Sequence, residues 1–431
     1  MYQSLQILLM CNKPHAKKDA ATIIDHIDAF VKYSQHSIYL LSNILNYPEQ
    51  LNLNKFDVLV VHYSLSLLGN FYLSVNAKKN ISQFQGLKVV FIQDEYRRVN
   101  AIHEEINKLG FDVLYTCVPN SEIEKVYPDS LFTSLRKVNT LTGYIPENLT
   151  SQNTCILKDR PIEVGYKARK VPFWLGSLGA EKTQIADKFY GYGKFYQLKM
   201  DISYKEKDRY YGKRWINFIA SCRTMLGVES GSSIFDFTGE IEKKVEKYRI
   251  YHPLVSFEKI HSLFLKDHEG KIILNQISPR CFEAISLKTV LILYEGNYSG
   301  ILKPWQHYIP LKKDFSNIKK VVSVIKSLNK LQEISDCAYR EIALNSDYSY
   351  KKFIRSFDTV IENEFIARKK AKVKLYYSNT NFLQEIRRFN KIELVHKKIK
   401  IYRRGLFKFI PDILKRFIRA LYFYFLDKKN V

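Results

Sequence analysis

The chain predicts an α/β protein with two parallel-sheet domains and a basic helical tail. Three observations carry this. The apolar runs are continuous rather than alternating, as in strands buried on both faces. Helix-period segments separate them, as βαβ units require. The pattern occurs twice in 431 residues, on either side of the turn-rich stretch Thr142–Asn153. At about 150 residues per domain the length fits this division, which places the domains at 1–155 and 156–365, with the tail at 366–431.

In the first half, strands are expected at Gln6–Cys11, Phe56–His62, Leu87–Gln93 and Val113–Val118, with helices such as Ala20–Tyr33 and Val99–Leu109 between them. The second half begins at Pro161. IEVGY reads as a strand and Ala180–Phe189 as helix. Ser221–Val228, KIILNQIS and TVLILYEG are further strands. The last two flank a helical segment, Pro279–Lys288. Helices around Asn317–Asn329, Leu331–Leu344 and Tyr350–Phe365 close the region.

Composition removes several classes. With 27 Phe and 30 Tyr the chain is not disordered, and 17 Gly and 12 Pro exclude a collagen-like or low-complexity chain. No apolar run approaches the roughly 18 residues of a membrane span. The opening MYQSLQILLMC lacks a basic flank and a cleavage site and reads as a first strand, so a cytoplasmic protein is expected. The six cysteines are scattered without a C-x-x-C, as small buried hydrophobes are.

The formal charge is +25. Residues 365–431 hold 19 Lys and Arg against 4 Asp and Glu, so more than half the excess lies in the tail. Such asymmetry points to an anionic surface. No zinc finger, RNP-type motif or recognition helix accompanies it, so nucleic acid is not the expected partner. Leu406–Leu426 places apolar residues at helical period, punctuated by Lys408, Lys415, Arg416 and Arg419. A helix lying in an anionic membrane interface at the inner leaflet is expected there; packing on the chain's own body or on a dimer partner is the alternative.

Ligands of open parallel sheets bind outside the carboxyl ends of the strands. His62, Asp94 and Glu95 fall at two such ends in the first half. A carboxylate or imidazole there can accept a proton, while Asp94 could equally cap the next helix. In the second half, Lys167, Arg169 and Lys170 follow IEV, where cations suit a diphosphate. Glu229, Ser230, Gly231 and Ser232 lie in GVESGSS, a glycine-containing loop able to offer backbone N–H groups to phosphate. In ISPRCFEAISLKTVLIL, Pro279 opens a helix. Arg280 and Glu283 then share one face, either as a structural ion pair or with Glu283 on a ribose diol and Arg280 on a phosphate.

The stretch SPRCFEAISLKTVLILYEGNYSGILKPWQHYIP resembles the bacterial group 1-like glycosyltransferases related to the spore-maturation branch, and RPIEVGYKARKVPFWLGSLGAEK and LGVESGSSIFD are similar to it as well. The resemblance implies the GT-B fold, two Rossmann-like domains facing a cleft, with a nucleotide-diphosphate sugar as co-substrate on the second. It makes Glu283 the ribose-binding glutamate and Arg169, Lys170 and Arg280 the diphosphate candidates. Three positions depart from the pattern: Asn275 stands where many relatives carry a second glutamate, Lys288 replaces a helix glycine, and Gln93-Asp94 replaces His-Asp. No D-x-D sits at a strand end, so no metal and no further cofactor is expected. The expectation is transfer of a sugar to a bacterial surface-glycan acceptor, which a lipid carrier could present, with Asp94 and then Glu95 as base. A non-catalytic glycan-binding or scaffold protein on the same fold is the alternative.

Overall fold

A computed structural model describes residues 4–14, 21–42, 51–69, 72–370, 382 and 384. The first unit runs β1 (Gln6–Met10), α1 (Ala21–Tyr33), β2 (Ser37–Leu41), β3 (Val58–Val61), α2 (Val75–Gln83), β4 (Leu87–Ile92), α3 (Val99–Leu109), β5 (Val113–Thr116), α4 (Ile123–Val126), β6 (Arg136–Asn139) and α5 (Glu147–Thr150). Among the described residues its strands pair in parallel in the order β2-β1-β3-β4-β5-β6. The apolar runs VLVV and LKVVFI lie at the centre, flanked on both sides, which is why they do not alternate. β2, α2 and β6 escape the sequence reading. Their residues are partly polar or exposed, so their periodicity is weak.

The second unit runs β7 (Ile162–Lys167), α6 (Gly176–Phe195), β8 (Met200–Ser203), α7 (Gly212–Ser221), β9 (Cys222–Gly227), β10 (Ser230–Ser232), α8 (Glu240–Tyr251), α9 (Phe257–Ile260), β11 (Leu274–Gln276), α10 (Pro279–Ser286), β12 (Val290–Tyr294), β13 (Tyr308–Leu311), α11 (Ile318–Ile325), α12 (Leu328–Ala338) and α13 (Tyr350–Ala367). Strands β13-β12-β9-β7-β8 form a parallel sheet. KIILNQIS departs from expectation: only Leu274–Gln276 is a strand, and it pairs antiparallel with β10 outside the main sheet. Arg160 is buried against the amino ends of this sheet. It donates to the carbonyls of Cys155, Cys222 and Leu287 and to Thr289 Oγ1, tying β9, the end of α10 and the start of β12 together. At the end of α10, Lys288 adopts φ 55°. A left-handed residue is needed to leave the helix, which explains a glycine preference at this position.

Each sheet has one switch point where the strand order reverses: β1 and β3 in the first, β7 and β9 in the second. A doubly wound sheet opens its ligand crevice there. The two units meet extensively. Asp236 N–H donates to Tyr96 O and Asn100 N–H to Phe237 O, and Arg97 forms a bidentate pair with Glu242 at 2.5 and 2.6 Å. Phe235, Ile272 and Leu274 enter the core of the first unit. Position along the chain groups α13 with the second unit, yet its Phe353, Ile354, Phe357 and Ile361 pack on α1 and the first sheet. Phe382 is buried against Tyr39 and Phe56 of the first unit, with ring centroids 4.9 and 5.8 Å away. The helix expected over Leu406–Leu426 lies outside the described residues.

Candidate active site at the meeting of the two sheets

The linker after β6 brings the switch points together. Thr142 Oγ1 donates to Ile277 O at 2.6 Å, just before α10, and Gln93 Nε2 donates to Thr142 O. Gly143 has no side chain because none fits: an added Cβ would stand 2.9 Å from Thr22 of α1 and 3.0 Å from the Pro279 ring of α10. The first turns of α1 and α10 therefore face one another across the linker.

Glu283 lies on the inner face of α10 and is 5 % exposed. Its Oε2 accepts the indole N–H of Trp215 at 2.8 Å; among the described residues its Oε1 has no partner. Burial raises its carboxyl from the usual 4.5 to about 7, against the opposing pull of Trp215 and Arg280. Arg280 is exposed, its NH1 donating to Lys167 O at 2.6 Å while its guanidinium stacks on the Trp215 ring, 5.0 Å from the centroid. Of the two readings left open by sequence, the Arg280–Glu283 ion pair is not formed. Trp215 of α7 stands between them.

Arg169 and Lys170 are exposed beyond the carboxyl end of β7. Lys167, in contrast, is buried and paired with Asp201 at 2.5 Å. The structure adds a cation that spacing did not reveal. Lys182, on α6, is pushed down to about 8 by burial and by the Arg280 and Arg169 guanidinium groups, with Asp94 opposing. Its amine has no hydrogen-bond or ion-pair partner among the described residues. Three cations thus converge within mutual electrostatic reach beside the first unit's Asp94. They come from a β7 loop, α6 and α10. An anion would relieve their repulsion.

The GVESGSS segment is built otherwise than expected. Ser230–Ser232 is strand β10, so its backbone is engaged with β11. Gly231, at φ 116°, lies so close to the Leu274 carbonyl that no side chain fits. The Ser232 hydroxyl is buried between Leu175 O and Ile234 O. Glu229 accepts from the Asn297 and Tyr298 N–H groups at 2.9 and 2.8 Å and from Asn275 Nδ2 at 2.6 Å. Its carboxylate clamps the loop after β12, and Asn275 completes the clamp. The donor-binding expectation for Glu229, Ser230, Gly231 and Ser232 is therefore corrected: these residues shape the wall and do not form an open phosphate cradle.

The acceptor-side expectations also separate. Glu95 is fully buried and accepts from Cys117 N–H at 2.7 Å, Tyr127 OH at 2.6 Å and the Thr116 hydroxyl. With those donors in place and no exposure, it is not an accessible base. His62 is also fully buried. Ser64 N–H donates to its Nδ1, leaving the proton on Nε2, which faces His26 Nδ1 at 2.9 Å. Burial holds both rings below the usual range, and Ser64 Oγ in turn accepts Asn12 N–H. The pair therefore braces the loops after β1 and β3. Asp94 is exposed and accepts from Tyr96 OH at 2.9 Å; it does not cap α3, whose preceding residue Arg98 makes no side-chain cap.

Among the described residues, His307, Cys337 and Glu341 form a group of metal-ligand type. It lies at the amino end of β13, opposite the crevice. Lys303 N–H donates to His307 Nδ1, so Nε2 carries the proton directed at Glu341 and is not a free lone pair. Of the cysteines, Cys155 is exposed and Cys337 partly so, against the expectation of uniform burial.

No protein-family model and no curated protein matches the chain. Among solved structures it is similar to an alpha-glucosyltransferase in complex with UDP and a 13-mer DNA containing a HMU base. The identity is 11 %, the match covers 84 % of this chain and 100 % of that one, and the TM-score is 0.54. The chain has the GT-B fold. Weaker similarities reach HepE of Anabaena in complex with UDP and glucose, at 9 % identity over 83 % of this chain and 99 % of that one, TM-score 0.45. TarM follows at 10 % identity over 74 % and 56 %, TM-score 0.41. Among the described residues no helix is long and apolar enough to cross a membrane.

Proposed function

We propose that the chain is a glycosyltransferase that takes a sugar from a nucleoside-diphosphate sugar. One observation carries this reading: Lys182, which has no partner among the described residues, lies within electrostatic reach of Arg169 and Arg280, and Arg280 also acts on a buried glutamate, Glu283, whose Oε1 makes no bond among the described residues. The cations meet the diphosphate and stabilise the charge that develops as it leaves, and Glu283 Oε1 accepts a ribose hydroxyl. Side-chain cations take the place of a divalent ion, so turnover persists in EDTA. UDP is the first nucleotide to try, since the alpha-glucosyltransferase of the same fold was solved with it. The acceptor is a bacterial surface glycan on a lipid carrier, which the basic residues 366–431 bring within reach at an anionic inner leaflet.

A thermal-shift series with UDP-, GDP-, dTDP- and CMP-sugars tests the reading. Stabilisation by one nucleotide class, followed by release of that nucleotide on adding lipid-linked glycan, is expected. Absence of a shift with every donor overturns it. Stimulation by DNA instead of glycan would reassign the acceptor.

A further inference from the structure

The charge of +25 is gathered in two places. Residues 365–431 carry +15 of it. Residues 187–199 and 303–330 together hold ten lysines and no arginine against two aspartates, a further +8, which leaves only +2 for the rest of the chain. These two segments stand far apart in the sequence, and the fold joins them.

The first segment holds the last turns of α6. The second holds the turn before β13, then β13 and α11. Ile185 and Phe189 of α6 share a core with Ile318, Val321 and Ile325 of α11, so the two helices cover one face of the second sheet side by side. They also touch at the surface. Lys188 Nζ donates to Lys313 O at 3.4 Å, and the Tyr192 ring stacks on Phe315 with centroids 5.3 Å apart. All ten lysines are exposed. Among the described residues only Lys313 has a carboxylate partner, Glu181. Asp187 accepts from Tyr204 OH and Asp314 from Ser316 N–H, both at 2.9 Å, so local hydrogen bonds occupy the two aspartates.

Aromatic rings stand among the ammonium groups. Phe195 is 78 % exposed, and Tyr190, Tyr192 and Trp305 are exposed as well. Lys194 Nζ lies 4.6 Å from the Tyr190 ring centroid, and Lys320 Nζ 4.1 Å from that of Trp305. Trp305 is held at φ 64° with its N–H bonded to Tyr308 O, and this turn presents the indole at the surface. The core does not need these rings, since beyond Ala186 only Phe189 and Gly193 of α6 are buried.

Charge decides what such a face can take. The tail and a second copy of the same face are both basic, and like charges repel either. The partner is therefore anionic. Arginine is the side chain suited to bidentate phosphate recognition in nucleic acid, and the face has none. Lysine point charges interleaved with aromatic rings suit a lipid interface, where the ammonium groups meet headgroups and the rings enter the acyl boundary. We infer that the α6–α11 face docks on an anionic bilayer. In the tail, Phe382 is buried against Tyr39 and Phe56 of the first unit, so the two basic regions are carried by different units. Two weak attachments to one surface multiply, so loss of either releases the chain. The inference extends the membrane part of the proposed function and uses none of the donor-site residues. Along α6, Phe195 lies about 20 Å beyond Lys182.

Trp305 supplies a local reporter, because Trp174 and Trp215 are buried and residues 366–431 contain no tryptophan. Full-length protein is mixed with phosphatidylcholine vesicles, with the same vesicles containing phosphatidylserine, and with double-stranded DNA. With phosphatidylserine the tryptophan emission is expected to move to shorter wavelength and to be quenched by brominated acyl chains. Trp305→Phe keeps binding and loses both signals. The triple variant Lys188→Glu, Lys194→Glu and Lys320→Glu is expected to partition roughly 10²-fold less, at about fivefold per lysine, with its thermal shift by UDP unchanged. The three Lys→Arg replacements keep the charge and keep the binding. Sedimentation with phosphatidylserine vesicles without a tryptophan response assigns binding to the tail alone and overturns the inference. A response to DNA with none to vesicles overturns it too and makes the face a nucleic-acid surface. Equal partitioning of the glutamate variant and wild type has the same consequence. Donor binding is read separately in the nucleotide-sugar melting series, so failure of the glycosyltransferase reading and failure of this inference are told apart.

Discussion

The indole N–H of Trp215 reaches the Glu283 carboxylate at 2.8 Å across 68 residues of sequence. That bond occupies one carboxylate oxygen and leaves the other for a ligand. It also partly offsets the cost of burying the charge. A side chain that looks like ordinary core is thereby what aims the site's central acid.

Glu283→Gln should weaken donor binding by on the order of 1.5–3 kcal/mol, the worth of a charge-assisted hydrogen bond. Trp215→Phe keeps the ring beneath Arg280 but removes the donor, and a smaller loss of about 1 kcal/mol is expected. Calorimetry with UDP measures both, with circular dichroism as the check on folding. Equal affinity in Glu283→Gln and wild type would remove Glu283 from the donor site.

Lys182 sets a pH dependence of opposite sign to that of a carboxylate. Its amine titrates near 8 in the free protein, so its charge is present below that pH and lost above it. UDP affinity should fall as pH rises through about 8. In Lys182→Arg the guanidinium stays charged, and the fall should vanish. Arg169→Ala and Arg280→Ala should weaken UDP far more than uridine; parallel losses for the two ligands would show that the cations shape the cleft without touching phosphate.

Two buried carboxylates make the fold less stable at higher pH. Burial raises Glu95 and Glu283 from the usual 4.5 to about 7. Between those values the folded state binds more protons than the unfolded one, so stability falls as pH rises. Below 4.5 the penalty is absent, and above 7 it is complete, of the order of 3 kcal/mol per group. The melting temperature of Glu95→Gln relative to wild type should accordingly shift in the variant's favour from pH 5 to pH 8. A pH-independent difference would refute this.

For the tail, deletion of residues 407–431 should release the chain from anionic liposomes at low salt and leave UDP affinity unchanged. Each basic residue near such a surface contributes about 1 kcal/mol, screened by salt. Full-length protein remaining in the supernatant at low salt would favour a helix packed on the chain itself.

Legibility in the sequence followed the physical range of each signal. VLVV and LKVVFI announce themselves because a strand buried on both faces is apolar throughout. Arg169, Arg280 and Glu283 could be singled out because strand ends and helix starts are local events. Lys182 could not: it lies in the second turn of a helix whose sequence is otherwise unremarkable, and only the approach of Arg169 and Arg280 makes it distinctive. Glu95 and His62 misled for the converse reason. Both sit at a strand's carboxyl end, yet Tyr127, Thr116 and His26 close over them.

The sequence by itself determined the α/β architecture, the order of its principal strands and the concentration of positive charge beyond residue 364. These follow from periodicity and composition, which are summed along the chain. Only the tertiary structure decided which polar side chains remain free. Glu229 is taken up by the loop after β12, Glu95 by Tyr127 and its neighbours, and one oxygen of Glu283 by Trp215, whereas Asp25 and Lys182 have no hydrogen-bond or ion-pair partner among the described residues. A buried polar group is expensive unless it finds a partner, and such partners come from distant parts of the chain. Which groups stay available for chemistry is therefore a property of the packed molecule.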